Sequence, residues 1–186
     1  MHIIKNIRKD QETILRFLDA FGKGSAALGA SNKHARPDFF ILASTFIQEY
    51  IEGIFFQKEE LLMQALESCG FLPNEGAIGA TRNEQRKSRE AAELLFQAAT
   101  EWHAGDEGAR IEVGWVASEY SSTLRQNLNR LKNLVFPLLE QNIPPEEEIN
   151  IVEGLNKIGL EGSMKNAPEK YDKLIETLEE ELSDWR

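Results

Sequence analysis

Apolar residues recur every three or four positions along the chain, and no stretch alternates with period two for the length of a strand. Ile7, Ile14, Leu15 and Leu18 share one face, which predicts a first helix over about residues 6–21. The next stretch, GKGSAALGASNKHARP, is rich in Gly, Ala and Ser and reads as a loop. Pro37 and Asp38 mark a helix start. Ile47, Ile51, Ile54, Leu62 and Ala65 then carry one apolar face to about residue 68, where Gly70 and Pro73 stop the helix. A third helix is expected over about residues 79–103 and a fourth over about 110–141, with AGDEG as the turn between them and Pro144 and Pro145 as the stop.

Four substantial helices on short connections predict an all-α chain whose residues 1–142 form an up-and-down four-helix bundle. Residues 143–186 are expected to add one or two short C-terminal helices. PPEEEINIVEGLNKIG starts one at Pro145, with acidic residues in the first turn where they suit the helix dipole. APEKYDKLIETLEEELSDWR reads as another, and its stripe of Tyr171, Leu174, Ile175, Leu178 and Leu182 has to be covered. The bundle itself is the expected cover; a partner subunit, and so an oligomer through this helix, is the alternative.

Composition narrows the function classes. The 186 residues are 41% apolar and 28% charged, enough for one core and too apolar for a disordered chain. A formal net charge of -10, from 21 basic and 31 acidic residues, disfavours nucleic acid and anionic lipid as partners. The densest basic run, Arg82 to Arg89, contains Glu84 and reads as a solvated helix face. One cysteine, Cys69, excludes an intramolecular disulfide; near a helix end with no histidine beside it, it reads as a small buried hydrophobe. MHIIKNIRKDQETI has no signal-peptide run, and no uninterrupted apolar 18-residue stretch occurs. The expectation is a cytoplasmic protein with neither nucleic acid nor membrane as partner.

Angular counting at about 100° per residue places a polar residue inside each helix's apolar face. Gln11 falls among Ile7, Ile14, Leu15 and Leu18. Glu59 flanks the second face, one turn beyond Phe55, while Phe56 and Glu60 point farther out. Gln85 lines up with Ile78, Ala92, Phe96 and Ala99. Asn127 lies at the edge of Leu124, Leu128, Leu131, Val135 and Leu138. Buried polar groups are costly unless paired, so these four predict one shared network or site, with helix-edge residues that reach water as the plain alternative.

The order and spacing of these fragments resemble the hemerythrin-like, HHE cation-binding family. That family's second helix carries a His-His-x-Lys-Glu-Glu motif ahead of a Leu-rich run; here it reads Phe55-Phe56-Gln57-Lys58-Glu59-Glu60, then LLMQAL. The third helix's Glu-His pair reads Glu84-Gln85, with Arg89 four residues on. The fourth helix's Leu-Arg-x-His-Ile-x-x-Glu motif reads Leu124-Arg125-Gln126-Asn127-Leu128-Asn129-Arg130-Leu131, followed by VFPLL. The first helix usually offers a histidine where Asp10-Gln11-Glu12 stands. The resemblance covers about residues 5–140 and implies a four-helix bundle built to hold two non-haem irons or another metal.

It also implies what is missing. Histidine is replaced by Gln11, Phe55, Gln85 and Asn127, a carboxylate by Leu131, and Glu59 is the clearest survivor. Such metals want imidazoles and carboxylates, so no cofactor is expected and the di-iron centre is expected to be absent. His2, His34 and His103 match no ligand position and read as surface residues. Glu59, desolvated among neutral amides, is expected to have a raised pKa. The expectation is a protein that binds a small organic ligand or a protein partner at or near Gln11, Phe55, Glu59, Gln85, Asn127 and Leu131, and an enzyme less than a binder. The alternative is a sensor or oxidoreductase whose atypical metal or redox cofactor is held by Glu59, Glu60 or Glu84. A second candidate surface is the segment after Gly22, where Lys23, Lys33, His34 and Arg36 would favour an anionic partner.

Overall fold

A computed structural model describes residues 1–165 and 169–186 of the chain. Their regular structure is entirely helical, with no strand among the described residues. Six helices run in order: α1 (His2–Gly29), α2 (Pro37–Ser68), α3 (Gly76–His103), α4 (109–142), α5 (Pro145–Lys165) and α6 (Glu169–Asp184). Ala167 and Pro168, read from sequence as the start of the last helix, lie outside the described residues.

α1 packs on α4, α4 most extensively on α3, and α3 on α2; α5 and α6 both lie across α1 and α2. Phe17, Phe21, Phe39, Phe40, Phe46 and Tyr120 are all fully buried. Phe17 stacks on Phe46 at 4.3 Å, and Tyr120 meets Phe21 edge-on at 6.1 Å. Such ring pairs add roughly 0.5–1.5 kcal/mol each beyond area burial, so they fix how the helices sit as well as holding them together.

α1 continues to Gly29, eight residues past its expected end, because the glycines there do not break it. A Cβ on Gly24 would lie 2.3 Å from Phe39 Cε1, so this glycine lets α2 approach α1. The chain turns only at Ser31, with φ 55. Gly70 and Gly105 adopt φ 100 and 108 and close α2 and α3 in the left-handed conformation that side chains resist.

α2 and α4 each contain a stretch of π-helix, Ile47–Phe55 and Leu131–Val135. In α4 the wider turn precedes Pro137, whose ring would strike a carbonyl one turn back in a regular helix. In α2 it includes Gly53, where an added Cβ would stand 3.3 Å from Gln48 O, five residues back. The widened turn shifts every later residue against a 100° count. Phe56, expected to point outward, is therefore buried, with Arg89 5.5 Å above its ring.

Three further expectations fail. Leu15 is 41% and Phe96 53% exposed although both belong to predicted inward faces, and Cys69 is exposed, its Sγ 3.4 Å from Asn142 O. The stripe on α6 is covered within the chain: Leu174, Ile175 and Leu178 are buried and Tyr171 packs 5.1 Å from Tyr50. Trp185 completes the closure 5.0 Å from Phe39. α5, expected to be short, runs 21 residues and packs close to α2, with Gly154 over Leu61 and Gly162 over Ile54.

α2 is long and apolar enough to cross a membrane by length and composition. Over half of its most apolar window is buried inside the molecule, and its inner face carries Lys58 and Glu59.

Candidate functional site

Glu59 sits on α2 just past the π-helical stretch and is completely buried. Its Oε1 accepts from Gln85 Nε2 on α3 at 3.1 Å and from Asn127 Nδ2 on α4 at 3.3 Å. Phe55 and Leu131, each four residues from a member of this trio, are buried and contribute only hydrocarbon. Gln11 is buried on α1, but its Nε2 donates to Leu128 O at 3.5 Å and not to Glu59. The structure thus joins Glu59, Gln85 and Asn127 directly and leaves Gln11 on the α4 backbone.

Burial drives the Glu59 pKa up to about 8; the two amide hydrogen bonds oppose it, Glu84 adds to it and Arg89 lowers it. At neutral pH the carboxyl holds its proton. Glu59 Oε2 and Asn127 Oδ1 are both buried without a hydrogen-bond partner among the described residues. A proton on Oε2 turns these two atoms into a donor and an acceptor, and the neutral acid is complementary to the Asn127 amide in a way the carboxylate is not.

A second buried cluster lies one residue to the side. Lys58 Nζ donates to Asp10 Oδ2 at 2.7 Å and to Asn6 Oδ1 at 3.1 Å, and Tyr50 Oη donates to Asp10 Oδ1 at 2.8 Å. Burial, with Asp10 beside it, pushes the Tyr50 pKa up, so the hydroxyl stays a donor. The signal was in the sequence: Asp10 falls on the Ile3, Ile7 and Ile14 face, as an intruder like its neighbour Gln11. The other carboxylates considered as ligands are taken by arginines. Glu60 makes two bonds with Arg82, at 2.7 and 3.2 Å, and Glu84 Oε1 accepts from Arg130 at 2.8 and 3.2 Å. Among the described residues no three His, Cys, Asp or Glu side chains lie together as a metal-holding group.

Cavities lie around this centre. One of about 760 Å³ runs between the second half of α1 and the start of α4, lined by Gly22, Ser25, Gly29, Arg110, Ile111 and Trp115. The segment read as a loop thus forms a helical wall, and Trp115 is 75% exposed at its edge. A smaller cavity of about 210 Å³ sits over the π-helical stretch of α2, between Ser44, Gln48 and Glu52 on that helix and Ala92, Glu93 and Phe96 on α3. Comparison with protein-family models, curated proteins and solved structures finds no match to the chain.

Proposed function

We propose that this chain is a divergent hemerythrin-like four-helix bundle with a helical C-terminal extension, and that it acts by binding a small organic ligand beside the position its relatives give to metal. The observation that carries this is the Glu59 cluster. One protonated carboxyl and two neutral amides meet where the resemblance calls for imidazoles and carboxylates. Neutral amides are weak donors to iron or zinc, and Phe55 and Leu131 offer no donor at all. The donor set does not fit a di-iron pair. Holding a proton and accepting two hydrogen bonds, Glu59 is a packing element that keeps α2, α3 and α4 in register.

Binding moves outward to the interhelical cavities, where bundles commonly place ligands. A sensor or oxidoreductase using residual carboxylates finds less support, since Glu60 and Glu84 are engaged by Arg82 and Arg130. The acidic surface argues for a partner other than nucleic acid or anionic lipid.

Metal analysis joined to native mass spectrometry of the protein as isolated tests the reading. The expected result is no stoichiometric transition metal, and an organic adduct released on denaturation. Two irons per chain would overturn it.

A further inference from the structure

The small cavity over α2 has features that the core network does not use. Its floor is the π-helical stretch Ile47–Phe55, a wide and less common backbone form that frequently marks functional sites. Just before it, Ser44 and Thr45 turn their hydroxyls back onto the carbonyls of Phe40 and Ile41, a contact that tends to bend a helix, here at the cavity mouth.

The charges in this cleft are unbalanced. Glu52 on α2 is half-buried, and desolvation raises its pKa; Arg89 offsets part of that rise and Glu93, across the cleft on α3, adds to it. Glu52 and Glu93 are the two charged side chains that line this cleft, and no basic side chain lines it. Tyr120 on α4 is fully buried, and its Oη has no hydrogen-bond partner among the described residues. Burial, with the charge of Glu52 adding to it, keeps this hydroxyl protonated, and it lies behind the cleft without lining it. At the rim, Phe96 is exposed although an aromatic ring left in water gains nothing from burial. Ile47 and Ala92 continue that apolar wall inward.

We propose that this cleft binds a small primary amine with an apolar body, its ammonium seated between Glu52 and Glu93 and its body against Ile47, Ala92 and Phe96. An ammonium is the charge that complements a lining whose charged side chains are both carboxylates. The cavity, at about 210 Å³, admits only a small ligand. The inference rests on the binding reading above and names its ligand class.

The test follows amide NMR shifts of the full chain while 2-phenylethylamine is titrated in, with 2-phenylethanol as the neutral counterpart of the same shape. Saturable shifts centred on Gln48, Glu52 and Phe96 are expected, with the alcohol binding at least tenfold more weakly. Glu52→Gln should weaken the amine at least tenfold and Phe96→Ala several-fold, both with melting temperatures close to the parent, since neither residue is in the fully buried core. No saturable binding of the amine, or equal binding to the Glu52→Gln variant, would overturn the proposal. Alcohol binding as tight as amine binding at the same residues would overturn the amine class and leave the binding reading standing. Stoichiometric iron in the isolated protein would overturn the binding reading itself.

Discussion

Glu59 makes the chain's stability depend on pH in a direction opposite to that of most carboxylates. Its folded pKa, about 8, lies above the ordinary carboxylate value, so the folded state binds the proton more tightly than the unfolded state. Its contribution is therefore full below about pH 4.5 and declines as pH rises to about 8, at about 1.4 kcal/mol per pH unit. Glu59→Gln imitates the protonated acid: its amide NH2 can donate to Asn127 Oδ1 while its carbonyl still accepts from Gln85. The variant should match the parent in stability near pH 5 and exceed it near pH 8, read by urea unfolding at both pH values. Equal slopes for both proteins would mean that Glu59 is ionised in the core. The charge of Lys58 is matched by Asp10, 2.7 Å away. Lys58→Met strands Asp10 in the interior with only Tyr50 for company and should cost about 3–5 kcal/mol in the same assay. The sequence made the Glu59, Gln85 and Asn127 convergence legible because helical periodicity carries angular information. It hid Phe56 because a π turn changes the angle per residue, and nothing in local composition announces that change.

For the helices as elements, composition misled at the end of α1. Gly22, Gly24 and Gly29 look like loop punctuation, and loop propensity would have won had nothing packed there. Phe39 decides the matter, because the space a side chain at Gly24 would need is already filled by its ring. Tertiary contact thus overrides a local cost of about 1 kcal/mol per helical glycine. The three glycines then separate into two kinds. Gly24→Ala gains that propensity but overpacks against a fully buried ring held by Phe40 and Trp185, and overpacking costs about 1–3 kcal/mol. It should be destabilising. Gly22→Ala meets nothing within 4 Å inside the same helix and should be stabilising by up to about 1 kcal/mol. Thermal melts of the two variants side by side check the contrast, and a loop at this position would make both substitutions nearly neutral.

Across the whole molecule, residues 143–186 look like an appendage in sequence and belong to the core in space. The break at Pro144–Pro145 and the charge-rich character of residues 146–186 invite a boundary there, and the stripe on α6 is the one legible hint that the extension has a face to bury. What the sequence does not carry is where that face lands, since two helices contribute to its seat. α6 sets Tyr171 against Phe46 and Tyr50, and Trp185 reaches Phe39, so the extension covers aromatic surface on α2 along most of its first half. α5 lies over the Lys58–Asp10 pair, with Gly159 3.8 Å from Lys58 Nζ at the position of an added Cβ. Removing the extension therefore does two costly things together: it exposes a row of apolar rings to water, and it opens a buried ion pair whose partners were placed for a dry site. A chain ended at Asn142 should lose cooperative thermal unfolding by circular dichroism and bind a hydrophobic dye, while a chain ended before Trp185 should keep a single transition at a lower midpoint. If residues 1–142 alone melted cooperatively at the full-length temperature, the extension would be a separate module, and the closure of α1 against α2 would owe nothing to it.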